Sequence, residues 1–169
     1  MDALILIWNV LSVASTVVAL VAAAAATYYC FRGFVPVLIR LGNGLWRRKI
    51  AIFASGDALT NLEILLLDLK LFNRTNIIRV SGDSELEAAE KASVFLVHWP
   101  DCQDNINAIL QRKKEQTALI VYAPQGQGSI PVEVMVQFEL RKNVVVNNFR
   151  GRLLNDLVTS MITTGYEKN

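Results

Sequence analysis

The 169-residue chain is 53% hydrophobic and 19% charged, with a mean hydropathy of +0.34, which is too apolar for an average soluble domain. Its net charge is only +2, and no long basic tract occurs outside the segment around residues 47–49, so we expect no nucleic-acid partner. The two cysteines, Cys30 and Cys102, lack metal-ligand spacing and are predicted to be free thiols. We therefore predict neither a metal site nor a bound cofactor.

The charged residues divide the chain into two physical classes. No charged side chain occurs between Ala3 and Phe31, whereas charges of both signs are regularly spaced from Lys49 onward. This pattern predicts three parts. They are a transmembrane helix at residues 1–31, a juxtamembrane interfacial segment and hinge at 32–48, and a cytoplasmic Rossmann-like α/β domain at 49–169.

The apolar N-terminal segment is long enough to cross a bilayer once. As a helix, Ala3 to Thr27 would cover roughly 37 Å, more than the hydrocarbon core of about 30 Å. The alternative is a cleavable signal peptide, but the stretch is long for one and only Met1 and Asp2 precede it, without Lys or Arg. The basic residues near the span all follow it, which predicts a single-pass protein of the inner or plasma membrane with a cytoplasmic C-terminal domain.

Small and polar residues interrupt the apolar segment at helical spacing. Asn9 and Ser12 place polar groups in its first half, and Ser15, Ala19 and Ala23 recur every fourth residue. Small residues at this spacing let helices approach closely, and polar groups in hydrocarbon seek partners on another helix. We therefore predict a homo-oligomer formed through these five residues. In the alternative, Asn9 lies near the headgroups and the alanines are merely tolerated.

The residues after the span predict a change of direction. Pro36 is expected to stop or kink the first helix, and Gly42-Asn43-Gly44 to form a flexible joint before the globular domain.

From Lys49 onward, short apolar runs alternate with longer helical patterns, as in five βα units. The strands are apolar throughout, which is typical of a parallel sheet covered on both faces. We predict a flavodoxin-like three-layer sandwich with a five-stranded parallel sheet in the order 2-1-3-4-5. The predicted strands are 50–53, 77–80, 93–97, 118–122 and 144–146, and the predicted helices are 59–72, 84–91, 104–116, 132–141 and 153–163.

In such sheets a ligand binds outside the carboxyl ends of the strands. Gly126 and Gly128 would allow close backbone approach to a ligand, and Arg150 would add positive charge. The alternatives are a turn-forming role for the glycines, a structural role for His98, and helix capping by Asp57 and by Asp104. The candidate ligand-binding residues are Ser55, Gly56, Asp57, His98, Gln125, Gly126, Gly128, Ser129, Asn148 and Arg150.

The sequence contains no recognisable catalytic motif. The loop at 125–129 lacks the Gly-Lys-Ser/Thr of a phosphate-binding loop and the dinucleotide fingerprint. No acidic pair follows the first strand, and neither a Cys/His pair nor a Gly-x-Ser-x-Gly elbow is present. We therefore predict no catalytic residue.

Two segments resemble TIR-type domains. Ala92 to Val97, after an acidic helix, is similar to their passage into the third strand. Trp99 to Asn105 resembles the loop and helix that carry a catalytic Glu in enzymatic members. Here Asp104 and Asn105 occupy that region and no Glu is present, which favours binding over NAD cleavage.

A single span joined to a small Rossmann-like domain also resembles membrane effectors of prokaryotic antiviral signalling, such as those with CARF domains. This resemblance implies an oligomeric signalling effector that senses a nucleotide second messenger or a protein partner and perturbs the membrane. The alternatives are a membrane-anchored TIR-like enzyme that cleaves NAD, and a scaffold subunit that recruits a protein.

Overall fold

The structure is a computed structural model that describes residues 2–46, 48–68, 70, 72–82 and 85–166. It divides into two units, Met1–Gly42 and Asn43–Asn169. Arg47, from the basic group after the span, and Ser84, the predicted start of the third helix, lie outside the described residues. The domain limits at residues 31 and 48 stay predictions.

The N-terminal unit belongs to one long helix, α1 (Asp2–Trp46). Its segment Ile7–Pro36 has a mean hydropathy of 2.1, and none of that stretch is buried against the rest of the protein. By length and composition this helix can cross a membrane, and an N-terminal secretion signal meets the same criteria.

The helix continues where we predicted that it ends or bends into a joint. Pro36 lies inside α1, and residues 42–44 are helical up to Trp46. The prediction that the helix stops at Pro36 is therefore wrong, whereas a kink at Pro36 and a hinge at Gly42-Asn43-Gly44 stay predictions. A proline removes one backbone hydrogen bond, and the apolar helix-forming residues on both sides sustain the remaining ones.

The C-terminal unit is built on a five-stranded parallel sheet in the order β2-β1-β3-β4-β5, which confirms the predicted fold class. The strands are short and mainly apolar, with many β-branched residues, as expected for strands covered on both faces. The polar exceptions are Arg79, His98 and Asn147. The strands are β1 (Ile50–Phe53), β2 (Ile77–Val80), β3 (Val94–His98), β4 (Ala118–Tyr122) and β5 (Val144–Asn147).

Six helical segments follow the strands in the described part of this unit, besides a 3₁₀ turn at Arg74–Asn76. Most are shorter than predicted, and α4 is a separate turn that the sequence did not indicate. The segments are α2 (Gly56–Asp68), α3 (Leu86–Ala89), α4 (Trp99–Cys102), α5 (Ile106–Arg112), α6 (Val132–Glu139) and α7 (Arg150–Tyr166).

Alternate strand residues belong to two separate hydrophobic cores, one on each face of the sheet. Ile52 and Leu96 point to the face covered by α2 and α7, where Leu66 and Leu157 are fully buried. The opposite side of the same strands faces α3 to α6, and Phe95 lies in that second core. The result is the predicted three-layer sandwich. It brings the carboxyl ends of all five strands to one edge.

Candidate ligand-binding site

A small cleft lies at the carboxyl ends of β1, β2 and β3. Its volume is about 60 Å³, well below the roughly 300–1,000 Å³ of typical sites for drug-sized ligands. It therefore accommodates a small chemical group rather than a whole dinucleotide. Its polar lining residues are Ser55, Ser81, Gly82, Asp101, Cys102 and Asn105, and its apolar ones are Phe53, Ala54, Val80, Leu86 and Ile109.

Asp101 is the charged side chain among the described lining residues. Its Oδ2 accepts the backbone N–H of Ser55 at 2.8 Å and lies 3.0 Å from Nδ1 of His98. Desolvation alone would raise the pKa of this carboxyl, but the Ser55 hydrogen bond and the His98 ring outweigh it, so its pKa is lowered overall. The resulting stabilisation is present above the ordinary pKa of an aspartate and is lost as the pH falls through the lowered one.

The arrangement leaves a fixed acceptor in the cleft. The Ser55 N–H and the His98 ring both lie against Oδ2, and the Ser55 hydroxyl also hydrogen-bonds the carboxyl group. A carboxylate has about four acceptor positions, so it can accept a further hydrogen bond. An ionised carboxylate accepts strong hydrogen bonds from hydroxyl, amide or amine groups and repels phosphate. The cleft therefore suits a group that presents donors rather than an anion.

His98 contacts the Asp101 carboxylate from a buried position. The residue is only 7% exposed at the end of β3, and its ring centroid lies 6.0 Å from that of Tyr122. The 3.0 Å separation from Asp101 falls within ion-pair range, but Nδ1 lacks the alignment of a hydrogen bond with any described residue. His98 is not a lining residue of the cleft, so its effect on a ligand there would pass through Asp101. Its predicted role in ligand binding stays a prediction.

Cys102 contributes a protonated thiol to the cleft. Its Sγ donates to the carbonyl oxygen of Phe53 at 3.3 Å. Burial and the neighbouring charge of Asp101 raise the pKa of the thiol to about 12. Since the thiolate is the reactive form, this Cys102 is a poor nucleophile at neutral pH although His98 and Asp101 lie nearby. No cluster of three metal-ligating residues occurs in the described ranges.

The raised pKa gives a direct chemical prediction. In a Cys30→Ala background, alkylation of Cys102 in the folded protein is expected to be far slower than that of a free thiol at neutral pH. The rate should rise about tenfold per pH unit up to about pH 11, because only the thiolate reacts. Mass spectrometry of iodoacetamide-treated protein measures this alkylation rate. A rate that stops rising at or below pH 9 would contradict the buried environment assigned to Cys102.

The predicted residues after β1 lie beside this cleft. Ser55 lines it and holds Asp101 through its backbone N–H. Gly56 begins α2 with a φ of +51°, a conformation that L-residues with side chains rarely adopt, and so allows a sharp turn from strand to helix. Asp57 is exposed in the first turn of α2. The structure thus brings Ser55 and Asp101 together and leaves Asp57 outside the lining.

The predicted residues after β4 and β5 lie outside the cleft lining. The loop after β4 makes a turn in which Gln127 N–H donates to Pro124 O at 3.2 Å, and Gly126 and Gly128 have φ values of +80° and +107°. These conformations require glycine for the turn itself. The residues are all exposed, and their ligand contacts stay predictions: Gln125, Gly126, Gly128, Ser129, Asn148 and Arg150.

Neither aspartate caps its helix in the way the sequence suggested. Because Gly56 turns the chain early, α2 starts one residue before Asp57, which lies inside the first turn. The extra turn α4 delays α5, whose N-cap is Asn105 without a side-chain capping bond, so Asp104 lies in the turn between them. Both capping predictions are wrong. Asp57 still favours α2 through the helix dipole.

The predicted oligomerisation residues lie on α1. Asn9, Ser12, Ser15, Ala19 and Ala23 are all exposed. The hydroxyl of Ser15 donates to the Ser12 carbonyl at 2.9 Å, which satisfies it within the helix. Self-association through this helix stays a prediction.

Most residues that line the cleft are not among the ligand-binding residues predicted from the sequence. Asp101, Cys102 and Asn105 lie in α4 and the turn after it, and Ser81 and Gly82 follow β2. A usable signal was the His98-Trp99-Pro100-Asp101 spacing directly after a buried strand. It places a carboxylate three residues from the strand end, where a proline starts a helical turn. The sequence contains no comparable indication of the hydrogen bond between Ser55 and Asp101, since 46 residues separate the two.

Comparison with protein-family models, with curated proteins and with solved structures found no match.

Proposed function

We propose that this chain is an oligomeric, membrane-anchored signalling effector. In this proposal the α/β domain binds a small ligand or a partner at the carboxyl edge of its sheet, without chemical turnover, and acts on the membrane through α1. A nucleotide signal is one candidate ligand, and its base or ribose would supply the donors because the ionised Asp101 repels phosphate. The architecture resembles that of membrane effectors in antiviral defence. A cytoplasmic location of the domain and assembly through Ser15, Ala19 and Ala23 belong to the same proposal.

The membrane part rests on the exposed apolar helix. Along Ile7–Pro36 the described side chains are unburied, and large residues such as Val18 and Leu20 are 67% and 66% exposed. Contiguous apolar surface of this extent is unfavourable in water and favourable in hydrocarbon or against another helix. The small and hydroxyl side chains within it suit close helix contact.

The observation that carries the binding role is the locked acceptor in the cleft. Ser55 and His98 hold the Asp101 carboxylate, which keeps acceptor capacity for a donor on a ligand, and the adjacent Cys102 thiol stays protonated. Such a site recognises a group through hydrogen bonds but supplies no activated nucleophile.

The same contact offers a way to transmit binding. The Ser55–Asp101 hydrogen bond joins the segment after β1 to α4 after β3, and these two strands are neighbours in the sheet. A ligand that donates to Asp101 competes with this bond or strengthens the arrangement around it. A switch requires a second conformation of this edge, and the proposal is that a ligand with different affinities for the two conformations shifts the population between them.

The competing candidate is a TIR-like enzyme that cleaves NAD. The ionised Asp101 favours it, because a carboxylate in the region after the third strand is the group such an enzyme needs. The small cleft volume and the engagement of Oδ2 favour the binder.

Full-length protein reconstituted in lipid vesicles separates these candidates. We expect NAD to remain intact during incubation, as followed by chromatography. We expect a small-molecule extract of the native cells to raise the Tm of the wild type, and Asp101→Asn to reduce that rise by at least about half, because the charged acceptor is lost. Asn retains the shape and an acceptor oxygen, so the variant should fold.

Three outcomes would reject parts of this proposal. NAD turnover that disappears in a folded Asp101→Asn variant would establish the enzyme. An extract effect insensitive to Asp101→Asn but abolished by Gly128→Val would move the site to the loop after β4. If the extract raises the Tm of neither the wild type nor the variants, and the domain specifically retains a protein, the scaffold alternative would be favoured.

A further inference from the structure

The basic residues of the α/β domain are concentrated at one edge of the sheet. In a parallel sheet, every segment that leads into a strand reaches the same edge, here called the amino edge. The described segments that lead into the five strands contain nine basic residues and two acidic ones. The basic residues are Arg48, Lys49, Lys70, Arg74, Lys91, Lys113, Lys114, Arg141 and Lys142, and the acidic ones are Glu90 and Glu115.

The opposite edge carries charges of both signs. The described segments that leave the strands, with the turn between α4 and α5, contain Glu85 and Asp104. The helices that start there add acidic side chains such as Asp57 and also Arg150 and Arg152. The excess of basic residues is therefore concentrated at the amino edge, although the net charge of the chain is only +2.

Several amino-edge charges are free to meet an external partner. Lys91, Lys114 and Lys142 are exposed, and their ammonium groups make no bond to other described residues. By contrast, Arg141 donates to the carbonyl of Gln137 at 2.9 Å. Unpaired like charges on one surface repel one another, a cost that an anionic partner would relieve.

The chain itself indicates which anionic surface is near. The apolar stretch of α1 ends at Pro36, and even fully extended the chain from there to Lys49 reaches at most roughly 45 Å. Lys49 directly precedes β1, so the covalent link enters the domain at its basic edge. If α1 is embedded, the amino edge is restricted to the neighbourhood of lipid headgroups.

We propose that the amino-edge face binds the anionic headgroup surface of the bilayer. This inference goes beyond the proposed ligand-sensing function and is independent of the cleft, which lies at the opposite edge. Each basic residue near an anionic surface contributes about a fivefold change in the bound population. Several residues together hold the domain against the membrane, and salt weakens the attachment.

The test uses the full-length chain in vesicles of phosphatidylcholine, alone or mixed with phosphatidylglycerol. The readout is the rate at which an amine-reactive reagent labels Lys91, Lys114 and Lys142, measured for each residue by mass spectrometry. We expect labelling to slow about fivefold or more in the anionic vesicles and to recover at high salt. The variant Gln127→Lys supplies an amine at the carboxyl edge as an internal control, and its rate should not depend on lipid composition.

Charge-matched variants separate surface position from overall charge. Lys91→Gln with Lys142→Gln removes two positive charges from the amino edge and leaves Lys114 as the reporter. Gln103→Glu with Gln127→Glu changes the net charge by the same amount at the carboxyl edge. We expect only the first pair to restore fast labelling of Lys114 in anionic vesicles.

Equal labelling rates in both lipid compositions would overturn the proposal, as would equal effects of the two variant pairs. Protection of these lysines by a short RNA in neutral vesicles, without protection by anionic lipid, would also overturn it and identify a nucleic-acid surface instead.

Discussion

Replacement of Phe95 by Ala is expected to lower the free energy of unfolding of the α/β domain by about 3–5 kcal/mol. Phe95 is 1% exposed on the central strand β3, and its ring centroid lies 5.1 Å from that of Phe53. The truncation removes buried apolar area and leaves a cavity bordered by two rigid strands, which cannot collapse to fill it. Since small domains are stable by only about 5–15 kcal/mol, the variant should lose a large part of its stability and unfold at a markedly lower urea concentration than the wild type.

Phe149→Ala is the matched control, because it removes the same atoms from a residue that is 51% exposed after β5. Urea unfolding of both variants, followed by circular dichroism of the full chain in detergent, measures the difference. A Phe95→Ala protein as stable as Phe149→Ala would contradict the packing of the core between β3 and α3 to α6.

Two arginines introduced into the apolar helix are expected to remove the protein from the membrane. Val17→Arg with Val21→Arg places two charges on one face of α1, in the middle of the stretch Ile7–Pro36. Each arginine near the centre of a span costs about 2.5–3.5 kcal/mol of insertion free energy. Together they reverse the preference of the helix for hydrocarbon.

Extraction of membranes with alkaline carbonate, followed by immunoblotting, measures this effect. The wild type and a Val17→Leu, Val21→Leu control should stay in the pellet, and the arginine variant should not. A wild-type chain that is released by carbonate, or that lacks residues 1–26 when purified, would show that α1 is a secretion signal or a soluble helix.

The predicted orientation has its own test. A reporter fused after Asn169 should be cytoplasmic.

The core strands could be predicted from the sequence because burial on both faces leaves a local signature. Ile50 to Phe53 and Ala118 to Tyr122 are uninterrupted apolar runs, and their observed limits match the predicted ones. The second strand is interrupted by Arg79, but its position between helical patterns still indicates a strand. With five strands separated by helical patterns, the right-handed crossover rule leaves few arrangements, and the doubly wound order 2-1-3-4-5 is one of the commonest.

Helix limits were less predictable because they depend on turns and on neighbouring elements. The third helix was expected at 84–91, but α3 comprises only Leu86–Ala89, and the chain turns at Glu90 and Lys91 into β3. The turn α4, started by Pro100, delayed α5 and removed Asp104 from its expected capping position. Propensity alone did not decide these points, because tertiary spacing overrides it.

By itself, the sequence determined the apolar segment and the class of the globular domain, since both depend on the local order of apolar and charged residues. Only the tertiary structure decided which distant residues meet. Ser55 and Asp101 are 46 residues apart and become partners because β1 and β3 are adjacent in the sheet. The basic residues are scattered along the sequence, mostly singly or in pairs. A parallel sheet gathers them because every strand begins at the same edge.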